Sequence, residues 1–446
     1  MNQNAPDAVQ RGTTTDTPPT STLGLISWAL YDWANSAFAT VIQTFVFATY
    51  FTQQVAANAT VGSVLWSNTV MAAGIIIAVG GPIVGAVADH GGRSKPWIAT
   101  FTLLCVSATA LLWFIEPAPT FVWPALLLVG LGTIGAEFAT IFYNALLPRL
   151  APPERVGRWS GWAWSLGYAG GLGCLIVALL AFVRENNPWV ALDRQSAQPV
   201  RAAFLLAAGW YLLFALPFFF TPEPHRVGKS LAHAVRDGLQ QLWASLRDLH
   251  QYGHLVRFLI AHMLYIDGLA TIFAFGGIYA ASTFAMSAQE VLLFGIALNA
   301  TAGLGAAGFA WVDDWLGAKP TILIALGGLI VFTMLILLVE SRQWFWVCGL
   351  LLGIFVGPVQ AASRSYLARL APAPLQNQLF GLFALSGKAT AFLGPLCVGW
   401  VIAWTGSQRL GLSPILGFFL VGFVLMLWIP ANGNRVSANG YTEEQG

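Results

Sequence analysis

Leu147-Pro148-Arg149-Leu150-Ala151-Pro152 recurs as Leu367-Ala368-Arg369-Leu370-Ala371-Pro372, an offset of 220 residues that also carries Gly161 onto Gly381 and Gly167 onto Gly387. The chain therefore reads as two like halves. On either side of each copy the sequence is apolar without alternation, which excludes the strands of a membrane barrel, where apolar and polar residues alternate over about ten positions. Helices are what remains. Of the 446 residues, 57% are hydrophobic and 9% charged, against roughly 25% charged in an ordinary soluble domain. Lipid is the solvent for most of this chain.

With Gly, Pro and charge as punctuation, about twelve spans reach the ~20 residues that a bilayer requires. They lie near 25–51, 64–88, 97–115, 122–147, 158–183, 202–220, 256–283, 289–312, 319–339, 343–368, 377–404 and 411–430. The expected organisation is an all-α integral membrane protein: a tail over 1–23, a six-helix bundle over 24–220, a linker over 221–255, a second six-helix bundle over 256–431 and a tail over 432–446. In the linker, Leu231, Val235, Leu239, Leu242, Leu246 and Leu249 recur at spacings of three and four between charged residues, the pattern of an amphipathic helix lying at an interface.

Orientation follows from the basic residues, which concentrate in cytoplasmic loops. With the amino terminus inside, only Arg184, Arg194, Arg201, Arg342 and Arg409 of the 21 basic residues fall outside, while Arg364 and Lys388 lie within spans. Both termini are expected in the cytoplasm. The polar first residues lack the apolar core of a secretory signal, and the short loops suit a bacterial inner membrane. A net charge of +2, scattered over short loops, excludes a nucleic-acid partner. Cys105, Cys174, Cys348 and Cys397 all fall in apolar segments without metal-ligand spacing, so neither a metal nor a cofactor is expected.

Gly85-Ala86-Val87-Ala88-Asp89-His90-Gly91-Gly92-Arg93-Ser94-Lys95-Pro96, after the second span, resembles the loop motif of the major facilitator superfamily, with Ser94 in place of its second Arg and Lys95 displaced by one. Asp313-Asp314 before Gly317-Ala318-Lys319-Pro320 is a degenerate second copy. Tyr31-Asp32-Trp33-Ala34-Asn35-Ser36 in the first span, Ser363-Arg364-Ser365 in the tenth and Phe380–Pro395 in the eleventh are similar to the vacuole-effluxer-like branch of that superfamily, whose eukaryotic members resemble vacuolar amino-acid permeases. The resemblance covers nearly the whole chain. It implies two bundles rocking around a central site, Asp89, Arg93 and Lys95 acting in a cytoplasmic gate, and an amino acid or similar zwitterion as substrate.

Ionisable residues within spans cost several kcal/mol each and so mark functional sites. Here they are Asp32, Glu137, Asp267, Arg364 and Lys388. Tyr31-Asp32 is echoed by Tyr265-Ile266-Asp267 in the equivalent helix of the second half, whereas Arg364 corresponds at the repeat offset to Asn144, and Lys388 to Tyr168. The cations belong to one half alone. Arg364 and Lys388 are therefore expected to hold an anionic group, with Tyr31, Asn35, Tyr265 and Gln360 as polar lining and Asp32, Glu137 or Asp267 as carrier of a coupling proton. The competing expectation is that the same charges form structural pairs. The carboxylate least engaged by the two cations is the expected carrier, and Glu137, without an acidic counterpart at the offset, leads. His262, one turn before Asp267, is a possible relay.

Enzyme readings fail. Gly381 to Ala389 has five residues between Gly381 and Gly387 and ends in Ala, so it is no phosphate loop, and neither a His-Glu-x-x-His helix nor a Gly-x-Ser-x-Gly elbow is present. The expectation is a monomeric, proton-coupled secondary transporter of a small solute surrounded by membrane lipid. The rivals are an exporter of hydrophobic drugs or lipids, which the aromatic content of 13% also fits, and a non-transporting sensor or scaffold.

Overall fold

A computed structural model describes residues 22–183, 192–223, 231–247 and 253–429. The described residues form no strand, and eleven of their helices are long and apolar enough to cross a membrane. The remaining span is the first, which is segmented: α-helical over Thr22–Ala37, π-helical over Phe38–Phe45, α-helical over Phe47–Tyr50 and π-helical over Phe51–Val55. Its widened turns close through five-residue bonds such as Val46 N–H to Val41 O, 2.9 Å. Spans two to six are Ala59–Gly91, Lys95–Leu111, Val122–Leu150, Val156–Ala178 and Gln198–Phe220. Spans seven to ten are Gly253–Phe284, Ala288–Leu316, Ala318–Leu338 and Arg342–Leu370.

The eleventh span departs from the continuous helix expected over 377–404. It runs as Gln376–Lys388 and Leu393–Thr405, joined by tight bonds from Ala391 N–H to Lys388 O (3.4 Å) and Leu393 N–H to Thr390 O (2.7 Å). Ser413–Leu427 is the twelfth. Gly92 (φ 80°) ends the second span and Gly317 (φ 91°) the eighth, so each copy of the loop motif turns at a residue free to adopt positive φ.

The halves meet mainly second span against eleventh and fifth against eighth, with the fourth and tenth completing the seam. One repeated pair, Gly161 and Gly381, sits there, whereas Gly167 and Gly387 pack against the first and seventh spans of their own halves. A Cβ on Gly161 would come within 2.6 Å of the Ala310 Cβ in the eighth span, and one on Gly381 would strike the Gly81 carbonyl in the second. For that pair, sequence repetition is close inter-half packing repeated.

Within the linker, Leu231–Arg247 is helical and packs along the second span. Leu249 lies outside the described residues, as do most of the 1–23 tail and all of the 432–446 tail. Thr22 and Leu23, assigned to the tail, already belong to the first helix.

Candidate functional site

At one end of the seam, which we call the closed end, Asp89 accepts hydrogen bonds from Asn377 N–H (3.1 Å), Asn377 Nδ2 (2.9 Å) and Gln378 N–H (2.9 Å). These are first-turn amides of the eleventh helix, unsatisfied within that helix and at the positive end of its dipole. Arg149 lies 3.8 Å from Asp89 and bonds Gln376 through Nε. The second copy repeats this. Asp314 accepts from Arg158 N–H at 3.0 Å in the first turn of the fifth helix, while Arg369 reaches both Asp313 and Asp314. Gln378 and Arg158 are 220 residues apart, as are Arg149 and Arg369.

Nearer mid-membrane lies Arg364, buried at 2% exposure. Nη1 donates to Asp32 Oδ2 at 2.9 Å and to Asn144 Oδ1 at 3.1 Å, Nε donates to Ser160 Oγ at 2.9 Å, and Nη2 donates to Ser160 O at 2.7 Å. Trp28, Tyr143 and Trp164 pack their rings 5.1 to 5.8 Å from the guanidinium carbon. Four donors of one second-half side chain are thereby spent on first-half acceptors. The flanking serines of the motif support it within the second half, Ser363 bonding Tyr265 OH at 2.6 Å and Ser365 bonding Asp313.

One layer further in, Lys388 Nζ stands 2.7 Å from Glu137 Oε1, again across the seam, and both side chains are about one-third exposed (34% and 29%). Lys388 is the last residue before the break in the eleventh helix. On the far side of that break, Gly394 N–H donates to Asp267 Oδ2 at 3.2 Å, so Asp267 faces the amino-terminal end of the second piece. Its other oxygen, Oδ1, is buried without a hydrogen-bond partner, and a Cβ on Gly394 would collide with Thr271 Oγ1 beside it. Of the three carboxylates named from sequence, Asp32 and Glu137 are each paired with a cation and Asp267 is paired with none among the described residues. Least engagement therefore selects Asp267 over Glu137, the leading choice from sequence. The repeat offset said only that Glu137 lacked an acidic twin, not that Lys388 would reach it.

The remaining residues divide. Tyr31 OH turns into its own half, 2.6 Å from Thr102 Oγ1 and 2.9 Å from Tyr211 OH, and Tyr265 likewise meets Ser363, so neither tyrosine offers its hydroxyl to the space between the halves. Asn35 accepts a long bond from Ser36 at 3.4 Å, and Gln360 accepts from Tyr168 OH at 3.4 Å across the seam. His262 is buried, bonded to Ser386 Oγ at 2.7 Å and stacked on Phe383 at 3.9 Å. Arg93 is exposed. Lys95 is held within the first half, donating to Phe218 O at 2.6 Å and to Thr221 at the end of the sixth helix. Its copy, Lys319, ties the ninth span to Leu427 O (3.3 Å) and Ile429 O beyond the twelfth. The sequence reading missed Asn144, Ser160, Arg158 and Gln376 to Gln378. An acceptor at the offset position from a buried arginine was the available signal for Asn144.

Toward the opposite end of the molecule, a cavity of about 540 Å³ opens among the first, seventh, eighth, ninth, tenth and twelfth spans. Its walls include Phe273, Phe294, Leu298, Leu337 and Phe345, with Asn299 and Thr333 among the few polar groups. The seam contacts close one end of the molecule, and the cavity toward the other end lies mostly within the second bundle, with the first span as its wall from the first half.

Comparison with known proteins agrees. The fold is shared with FucP, a major facilitator superfamily transporter crystallised in the outward conformation, at a TM-score of 0.71 and 14% identity over 92% of this chain and 98% of that one. The human organic anion transporter MFSD10 matches at 0.70 and 17% over 91% and 99%. The molecule is a multi-pass membrane transporter of the major facilitator fold, not an enzyme. More narrowly, a family model described as "Vacuole effluxer Atg22 like" matches residues 153–439, and the chain belongs to that family. Relatives include the uncharacterized MFS-type transporter YxiO of Bacillus subtilis, 27% identical over 91% of this chain and 94% of that one. Autophagy-related protein 22-1 of Phaeosphaeria nodorum is 26% identical over 81% and 75%.

Proposed function

We propose that the chain moves a small zwitterion, an amino acid or a close relative, across a bacterial inner membrane by alternating access, coupled to protons, with both termini in the cytoplasm. The observation that carries this reading is the contrast, among the described residues, between two ion pairs that cross the seam and Asp267, which has no cation partner. With the closed end on the cytoplasmic side, Asp32–Arg364 and Glu137–Lys388 hold the outward-facing arrangement together. A substrate carboxylate competes with Asp32 or Glu137 for its cation, and the displaced acid then faces the ammonium group. Asp267 is the group left to take and release a proton as the eleventh helix shifts about its break. Asp89 acts in the gate by bonding helix-end amides, while Lys95 supports it from within its own half.

Accumulation of labelled amino acids in proteoliposomes under an imposed pH gradient tests the reading. Uptake that follows the gradient supports it. The apolar cavity favours a second reading, extrusion of a hydrophobic compound, and efflux of a lipophilic dye without uptake of any amino acid would establish that one instead.

A further inference from the structure

The linker helix Leu231–Arg247 has three faces, not two. Ala234, Gly238 and Leu242, one turn apart, are buried. Gly238 lies so close to the second span that a Cβ there would come within 2.8 Å of Ala86 O and 2.9 Å of Val87 N, backbone atoms that cannot swing aside. Val235, Leu239 and Trp243 form a neighbouring stripe that is 39%, 44% and 74% exposed. Arg236, Gln240 and Arg247 are exposed on the third face. An apolar sector edged by arginines is the layout of a helix lying in the headgroup region of a bilayer.

The buried face lands on a particular place. Ala86 and Val87 stand between Gly85 and Asp89, which face the eleventh helix. A Cβ on Gly85 would strike Asn377 O, and Asp89 accepts the amides of Asn377 and Gln378. Five residues of the second span are thus gripped on one side by the linker helix and on the other by the opposite half.

We propose that the linker helix is a clamp seated in lipid: Val235, Leu239 and Trp243 insert into the interfacial layer of the surrounding membrane, and through Gly238 that seating holds the second span where Asp89 reaches the eleventh helix. The lipid surface becomes a ligand of the closed gate, and loosening the helix from it shifts the balance toward opening at that end. This rests on the gating role given above to Asp89. Leverage comes from proximity, since Gly238 touches the span within one turn of Asp89 and needs no relay through the bundle.

The test uses the full chain in lipid nanodiscs with spin labels at Glu154→Cys and Pro374→Cys, exposed positions in corresponding turns of the two halves at the closed end. Inter-label distances are read in three backgrounds. Leu239→Ser with Trp243→Ser alters only the exposed stripe, and is expected to raise the ratio of separated to closed populations about three- to tenfold, within the range carried by couplings between packed elements. Trp243→Phe should restore the parent ratio. Gly238→Val should act in the same direction. In parallel, a fluorophore at Trp243→Cys, with Cys397→Ser to remove the one cysteine that is not buried, should be quenched by nitroxide lipids. An unquenched fluorophore, or a distance distribution unmoved by the serine pair, overturns the clamp. If Asp89→Asn also leaves the distances unmoved, it is the gate assignment that fails, whereas separation by Asp89→Asn but not by the serine pair rejects the clamp alone.

Discussion

Arg364 and Asn144 occupy the same position in the two repeats, 220 residues apart, and they touch: Arg364 Nη1 donates to Asn144 Oδ1 at 3.1 Å. Positions related by a pseudo-twofold meet only near its axis, so this contact places the guanidinium at the centre of the molecule, where both halves converge. One half supplies the charge and the other its acceptors. That asymmetry makes the arginine a part the halves must release if they are to separate at the closed end.

Arg364→Lys keeps the charge but discards the planar fork that serves Asp32, Asn144 and Ser160 together. It is expected to fold and to lose at least about tenfold in transport rate. Arg364→Ala leaves Asp32 buried without its cation and should destabilise the protein by about 3–5 kcal/mol. Thermal unfolding of the purified protein and initial uptake rates check both. A fully active, fully stable Arg364→Ala would remove the residue from the centre of the account.

Asp89→Asn weakens acceptance from the first-turn amides of the eleventh helix, an interaction with a helix end worth about 0.3–2 kcal/mol. Flux should fall while substrate affinity in the outward-facing state stays nearly constant, because the site lies deeper in the molecule. Asp314→Asn should act in the same direction at the partner seam. Equilibrium binding and flux are measured separately, and a large loss of affinity would argue against gating.

Gly381→Ala adds a methyl group where the Gly81 carbonyl stands. The closed end cannot then close fully, and the protein should be biased toward opening there, with solute access from that side rising and net turnover falling. Cysteine labelling of the path between the halves reads this directly.

Lys388→Ala with Glu137→Gln removes both partners of a pair about one-third exposed, so neither charge is left unpaired and the cost to folding is about 0–1 kcal/mol. The double variant should therefore fold. Transport and binding should nevertheless be lost if, as proposed, the cation holds the anionic end of the solute. Normal binding by the well-folded variant would withdraw Lys388 from the site.

Much of this was legible in the residues. The twelve spans follow from length and hydropathy, and the repeat of Arg149 at Arg369 anticipates matched contacts at the seam. The acids and bases inside spans were legible too, since in lipid their cost singles them out. Their partners were not. Nothing in the sequence told Lys388 to choose Glu137, because that pairing joins the fourth and eleventh spans, and contacts between distant helices leave no periodic trace. The break after Lys388 left a signal that went unread: Ala389-Thr390-Ala391-Phe392 contains neither Gly nor Pro, but Gly387 precedes it and Gly394-Pro395 follows it. The hydroxyl partners of Tyr31 and Tyr265 were hidden for a related reason: a polar group near a charge at helical spacing can serve either face, and here each bonds within its own bundle.

The central claim is that Asp267, which among the described residues has no cation partner, carries the coupled proton. Asp267→Asn keeps the size of the side chain and can still accept from Gly394 N–H, but it cannot gain or lose a proton near neutral pH. The decisive measurement compares two activities of this variant in one proteoliposome preparation: accumulation of labelled amino acid against its gradient under an imposed pH difference, and exchange of labelled for unlabelled amino acid at equal pH. The account predicts that accumulation is abolished while exchange continues. Accumulation that persists in Asp267→Asn, with exchange intact, would contradict it.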